Sequence, residues 1–533
     1  MKKIFLLLAS ASLAAACSQD ALETFPSTKV PADVVYGDTD NAQSAMTGVI
    51  GGLGSSGWGS GHINFGLACT YLDGDLLGED YVQSGTGSGW RWQTYSYVFK
   101  RWYNDTQLQP YSEWNMAYTT INSCNNLIGV ADLLSETPRG QAILGQAYAL
   151  RALSYYNLAN LYARAYYYFP DDPCVPIYTE PTTAQTQGQP RSTNREVFEN
   201  VIIPDIEQAV TVLKEALDGG AKRSSKTEID YYVAQGLRAR IALTTHAWDT
   251  AIEAANAALA GSFDGVSFSA PLSGAQLTGG MNDVPALPSV MWGEIKTADN
   301  YSMYASFLSH MDANHDGYAK SARPCILEGL YEYMGAGDTR RQWWLGDFDD
   351  ANYQSSGEAI KYCQKKFKFK GDTWFGDYIY MRSEEMLLTL AEAYCQKGDD
   401  GQARNFLNRL MSARDASYSC ADKSGNTLNT LTTFSDGGAT KAVSLLDEIL
   451  IQRRIELWGE LGRIYDIKRL HQGFQRFSTN PHNPDFNPAS GLPTHDTQDP
   501  DTYAWIFPIP QSEFDGNSAL DFDRDQNPMD DHK

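Results

Sequence analysis

Apolar residues recur at three-and-four spacing over several long stretches of the chain, and each such stripe predicts an amphipathic helix. Between Arg139 and Arg164 the stripe is Ile143, Ala147, Leu150, Leu158 and Leu161. Asn194 stands where a cap would start a second helix running through Val212 and Leu213. The clearest pair lies between Ser383 and Arg414. Leu387, Leu390, Ala391 and Tyr394 line its first helix, Gly398 is placed to end it in a left-handed cap, and Asp399 with Gln402 predicts a capping box for the next. Tyr394, Ala403 and Leu407 then fall where a tetratricopeptide repeat places tyrosine, alanine and a large apolar residue. A looser pair covers Glu228 to Leu259, and another helix runs from Val443 to Gly462. Units of this kind stack because none can bury its apolar face alone. The expected fold is therefore mainly α: a tetratricopeptide-like helical-repeat scaffold over about 139–260 and 377–465, with long irregular loops and a few short strands. No low-complexity linker divides it, so residues 17–533 read as a single domain.

Two stretches depart from the helical period, about 51–118 and about 261–377, both rich in Gly, Asp and aromatic residues. Long loops in a compact protein carry function or are disordered, and tryptophan-rich ones are poor candidates for disorder. In an extended segment Trp90 and Trp92 project to one side. With Arg91 and Tyr95 beside them and Tyr301 and Tyr304 opposite, they form a candidate ligand platform, with Arg91, Asp80 and Asn64 available to bond hydroxyls. The competing reading is that these rings pin the loops to the scaffold. Trp102, Trp114 and Trp292 are assigned to packing, and Trp343-Trp344 and Trp374 stand as alternative platforms.

The N-terminus changes the picture of where the chain works. Met1-Lys2-Lys3, the apolar run Ile4 to Leu13 and Ala14-Ala15-Ala16 read as an export leader over residues 1–16. Cys17 then stands where a lipoprotein is cleaved and acylated, although Ala14 occupies the usual aliphatic position; ordinary cleavage after Ala16 is the alternative. The formal charge of −23 argues against nucleic acid, which requires a basic face. Eight cysteines, at 17, 69, 124, 174, 325, 363, 395 and 420, show no Cys-x-x-Cys spacing, so neither a zinc site nor a dense disulfide framework is indicated.

Motifs of chemistry are few. Gly52-Leu53-Gly54-Ser55-Ser56-Gly57 spells a dinucleotide fingerprint, but it follows a helix-like segment rather than a strand. Asp312, Asn314 and Asp316, with Gly317, reproduce half a calcium loop, yet Arg323 stands where the bidentate Glu belongs; an Asx-rich turn is the alternative. No nucleophile elbow, His-Glu-x-x-His helix or Walker loop occurs. A glycosidase carboxylate pair would fit best at Tyr71-Leu72-Asp73-Gly74-Asp75 with Gly78-Glu79-Asp80.

Four segments together carry a resemblance to a known family. They are Gln141 to Tyr162 with Leu150-Arg151-Ala152, the repeat Arg382 to Arg414, the helix Glu448 to Leu457, and the ending Ile506-Phe507-Pro508-Ile509-Pro510 with Gln526-Asn527-Pro528. With Cys17 they make the chain resemble the SusD/RagB family of outer-membrane nutrient-binding lipoproteins. The resemblance implies a tetratricopeptide scaffold, surface exposure on the outer membrane, no catalysis, no required cofactor, and a SusC-like TonB-dependent transporter as partner. The ligand it implies is an oligo- or polysaccharide or, alternatively, a peptide. A surface glycoside hydrolase and a structural adhesin are the competing functions. Within the segment Glu448 to Leu457, an Arg453–Glu456 ion pair at i,i+3 is the simple structural expectation.

Overall fold

In the computed structural model of the chain, residues 36–83, 94, 96–346, 361–429, 431–432, 442–474 and 495–531 are described. The periodic segments form the predicted helices. Pro138–Tyr162 packs between Gln109–Ile128 and Ile203–Asp218, and Tyr231–Thr244 packs on Trp248–Leu259. Trp248–Leu259 lies in turn against Ser383–Gln396, which packs on Asp400–Met411. The stack is thus continuous in space although more than a hundred residues separate Leu259 from Ser383 in sequence. The fold is mainly helical with short strands, as expected from the repeat pattern.

Local chemistry sets the helix ends. Gly398 takes φ +80°, where a side chain is disfavoured, and Asp399 accepts the Gln402 N–H at 3.0 Å. Tyr394 stacks on Phe406 across this turn, and Ala403 and Leu407 are fully buried. At the second predicted helix the cap is one residue earlier than expected: Thr193 caps it through a reciprocal box with Glu196, while buried Asn194 donates instead to Arg164 O and Phe169 O. The closing motif has a clear physical use. Phe507 N–H donates to Leu161 O, and Asn527 Nδ2 donates to Tyr162 O and Phe507 O, so the ending satisfies carbonyls left open at the C-terminus of the Pro138–Tyr162 helix.

The described parts of the two aperiodic regions carry more regular structure than their composition suggests. Residues Leu67–Leu76 form a helix buried on every side, which an amphipathic pattern cannot reveal because it has no polar face. The helix Gln109–Ile128 begins inside the first predicted loop region. The second region leaves and rejoins the scaffold through an antiparallel ribbon, Val290–Glu294 on Tyr378–Arg382. Gly293 is required there, since a Cβ would come within 2.4 Å of Tyr378 O.

Buried charge fastens this second region to the scaffold. Glu456 is fully buried and receives Arg414 (2.8 Å), Arg382 (3.2 Å) and Arg340 (3.4 Å). Arg340 also pairs with Asp338, and Lys366 pairs with Glu460. Burial alone would raise the Glu456 carboxyl, but Arg414, with Arg382 and Arg340, holds it far below its ordinary range. The expected Arg453–Glu456 pair does not form: Arg453 turns to Asp466 at 2.8 Å. Every residue of this helix, Leu445–Glu456, is buried, so partners on other elements displace the neighbour one turn away.

Candidate functional site

Three loops meet in an aromatic face. The first follows the helix Thr39–Leu53, which ends at Gly54 and turns the glycine fingerprint into a helix exit. It presents His62, exposed, whose ring stacks on Tyr304 with centroids 6.0 Å apart and an interplanar angle of 18°. His62 Nδ1 also lies 2.8 Å from the Tyr318 hydroxyl. Tyr304 meets Trp374 edge-on at 5.8 Å and Tyr318 at 6.1 Å, while Tyr301 leans on Phe375 at 5.8 Å. Tyr301 and Tyr304 remain 39% and 41% exposed, with Met303 between them at 38%. Large apolar side chains with this much exposure are few among the described residues.

Each loop is held by its own polar chemistry. Asn300 Oδ1 accepts the Thr297 N–H at 2.7 Å, and Asn300 Nδ2 donates to Ile295 O, which sets the approach to Tyr301. Gly371 takes φ +58° in the turn that raises Trp374, closed by the Lys370 N–H to Phe375 O at 3.0 Å. Asp312 ties two of the loops together: Oδ1 accepts the Asn314 N–H and Oδ2 accepts the Phe369 N–H, each at 3.0 Å. Trp374 packs on Phe369 and on His315. The Asp312 carboxylate, 3.3 Å from His315 Nδ1, raises the pKa of that imidazole.

The calcium pattern therefore takes the form of an Asx turn. Asp312 is buried with both oxygens on backbone donors, and exposed Asp316 pairs with Lys320 at 2.5 Å, while Asn314 is exposed. Among the described residues, a different set lies within mutual reach of a cation: Cys69, Asp73 and Glu113, all buried, with ligand atoms within 4.8 Å of one another. Thr70 donates to Glu113 inside this group.

Two residues assigned to ligand hydroxyls are committed elsewhere. Asp80 is 2% exposed and its carboxylate receives Arg454, with Arg463 at 3.3 Å. Asn64 is 1% exposed and shapes its own loop, donating to Gly61 O and accepting the Trp58 N–H. Both carry polar side chains into the interior because neighbouring donors and acceptors satisfy them there. Tyr301 and Tyr304 are brought to the surface as expected. Trp90, Arg91, Trp92 and Tyr95 lie outside the described residues, as does Cys17. The strand Tyr81–Gln83, just before Trp90 in sequence, pairs with Pro324–Ile326, close after Tyr318. Of the tryptophans assigned to packing, Trp114 and Trp292 are buried, whereas Trp102 is 44% exposed. Trp343 and Trp344 are buried and do not offer a platform. His62 and Tyr318 join the face although neither is among the sequence candidates, and Trp374, one of the alternative platforms, lies on the same face. The only local signal was an aromatic ring flanked by turn formers, as in Gly371-Asp372-Thr373-Trp374.

The acids nominated for glycoside hydrolysis are likewise interior. Asp73, Asp75, Glu79 and Asp80 are all buried, and Glu79 and Asp80 face Arg454 and Arg463. Burial pushes the Asp75 carboxyl up to about 8, against the lowering effect of the Arg463 N–H it accepts at 2.9 Å. The folded protein then keeps a proton that the unfolded chain releases near its ordinary pKa of about 4, so Asp75 makes folding less favourable as pH rises between about 4 and 8. Asp75→Asn removes that dependence. The variant is expected to match or exceed the native melting temperature at pH 8 and to gain nothing at pH 4, in paired thermal melts.

The comparisons with known proteins bear on this geometry. A model described as the SusD family matches residues 303–529, and a second, described as starch-binding associating with outer membrane, matches residues 76–231. The chain belongs to the SusD family. The two SusD matches span most of the scaffold and, on the aromatic face, Tyr304, Tyr318 and Trp374. A curated SusD-like protein P2 from Formosa agariphila is 27% identical over 398 residues, 69% of this chain and 73% of that one. Among solved structures, a SusD-like carbohydrate binding protein from Bacteroides vulgatus superimposes with a TM-score of 0.69 at 24% identity, covering 91% of this chain and 97% of that one. A SusD superfamily protein from Bacteroides thetaiotaomicron gives 0.68 at 23% identity, covering 92% and 100%. Surface glycan-binding protein A from Bacteroides fluxus gives 0.60 at 14% identity, covering 92% and 99%. At these identities the structural matches establish the SusD fold.

Proposed function

We propose that this protein binds an oligo- or polysaccharide at the outer surface of the outer membrane and passes it to a SusC-like TonB-dependent transporter, without catalysis. The observation that carries the reading is the aromatic face of Tyr301, Tyr304 and Trp374. Rings of this kind offer flat apolar plates to sugar faces, and exposed Asp299, Asn300 and Asp372 stand along the same loops to bond hydroxyls. Trp90 and Trp92, with Arg91 and Tyr95, form the opposing wall of the platform in this reading. The names of the relatives support carbohydrate as the ligand class, and the burial of the nominated acids supports binding rather than hydrolysis.

A panel of soluble polysaccharides tests the proposal. Retarded mobility with one glycan class and no new reducing ends is expected; release of reducing ends would make the protein a hydrolase, and binding confined to peptides would replace the ligand class. Among the described residues no helix is long and apolar enough to cross a membrane. Attachment in this reading comes from acylated Cys17, with two or more chains needed for a stable anchor. Cys17→Ala is expected to move the protein from the membrane to the soluble fraction, and unchanged fractionation would remove the anchor from the model of function.

A further inference from the structure

Cys325 and Cys363 face each other on adjacent antiparallel segments. The bonds around them define the type of pairing. Ile326 N–H donates to Tyr362 O at 3.1 Å and Gln364 N–H donates to Pro324 O at 2.9 Å, so the two cysteines occupy a site flanked by hydrogen bonds rather than joined by them. Opposed residues at such sites stand closest, with Cα atoms about 4.5 Å apart. That separation lies inside the disulfide window of roughly 4.4–6.8 Å. Both side chains are buried, at 0% and 2% exposure, and both are free thiols here. The neighbouring Cys325 thiol, ahead of burial, holds the Cys363 thiol well above its ordinary range.

We propose that Cys325 and Cys363 are oxidised to a cross-strand disulfide when the chain matures outside the cytoplasm. The inference rests on the reading of residues 1–16 as an export leader, because only an oxidising compartment sustains such bonds. The oxidant is a disulfide carried by a dithiol oxidase of that compartment. One cysteine thiolate attacks the donor disulfide, forming a mixed disulfide and expelling one donor thiolate. The second cysteine thiolate attacks the protein sulfur of that mixed bond, closing Cys325–Cys363 and expelling the other. Two electrons pass to the donor, and the two protons lost by the cysteines match the two its thiols take up. Exchange precedes burial, since neither thiol is reachable in the folded protein.

The bond has a structural consequence. The segment it closes carries Asp338, Arg340, Trp343 and Trp344, and Arg340 reaches the buried Glu456. Cys325 itself pairs with Val82 of the strand that leads toward Trp90. The crosslink therefore clamps the base of the second loop region where it meets the first.

The test uses the full chain made with its own leader, with thiols trapped by alkylation under denaturing conditions before any reductant is added. Two fewer alkyl groups than after reduction are expected, together with a reducible peptide joining Cys325 to Cys363. Reductant is expected to lower the melting temperature by roughly 4 °C in the native chain, from the loop closed by the bond, and by nothing in Cys325→Ala/Cys363→Ala. Full alkylation of both cysteines in the exported protein, or a link between other cysteines, overturns the proposal. Fractionation of the same cells reads export separately, so failure of the bond and failure of the export reading are distinguishable.

Discussion

Tyr301→Ala together with Tyr304→Ala is expected to weaken binding of the panel-identified glycan at least tenfold while leaving the melting temperature almost unchanged. Loss of one stacked ring costs about 1 to 3 kcal/mol on other aromatic platforms, and about 1.4 kcal/mol corresponds to a factor of ten. The two tyrosines are well exposed, so their truncation opens no core cavity. Titration calorimetry with parallel thermal melts reads both quantities. Trp374→Ala is a useful contrast, because this half-buried ring packs on Phe369 and His315 beneath the face and its loss is expected to reduce affinity and stability together. Trp344→Ala, 2% exposed, is expected to lower stability through a core cavity without a specific effect on affinity in the folded fraction. Native-like affinity in the double tyrosine variant would move the ligand site away from this face.

The largest effect on stability is expected at Glu456. Its carboxylate is the common partner of Arg340, Arg382 and Arg414, all fully buried. Breaking a buried pair by deleting one partner costs about 3 to 5 kcal/mol, and three guanidinium groups share this one. Glu456→Ala is therefore expected to give little soluble protein, or a chain that unfolds at much lower denaturant concentration; Glu456→Gln keeps the shape but not the charge and should fail nearly as badly. The pH dependence follows from the depressed carboxyl. Its folded pKa lies below the unfolded value of about 4.3, so its contribution is fully present above that value and is lost as pH falls toward the folded pKa. Denaturant melts from pH 7 down to pH 3 are expected to show a stability loss at acid pH that Glu456→Gln lacks. A variant as stable as the native chain would show that neighbouring acids, such as Glu384 and Glu460, hold the arginines without it.

How much of this was legible in the residues follows from how local each signal is. Helices with one apolar stripe announce themselves, as Ser383–Gln396 and Asp400–Met411 did through Leu387, Leu390, Ala403 and Leu407, with Gly398 and Asp399 marking the turn. The helix Leu67–Leu76 did not, because burial on all sides leaves no periodicity to read. At the site, Tyr301 and Tyr304 were recognisable as aromatic residues in a turn-rich loop. Asp80 and Asn64 show why such candidates are hard to read: a polar side chain in a loop is equally suited to a ligand and to a buried partner, and only the distant Arg454 or the fold of the loop on itself shows that both have partners in the interior.

The sequence by itself determined the repeat helices and their caps, the family to which the chain belongs, and the loop tyrosines as candidate ligand groups, since periodicity, turn chemistry and motif sets are carried by neighbouring residues. Only the tertiary structure decided that His62, Tyr304, Tyr318 and Trp374 form one face, that Asp312 ties two loops together, and that Glu456 answers arginines 42, 74 and 116 residues away in sequence. Those contacts bring together groups whose partners are chosen by proximity and burial, and neither quantity is written in the spacing of residues along a chain.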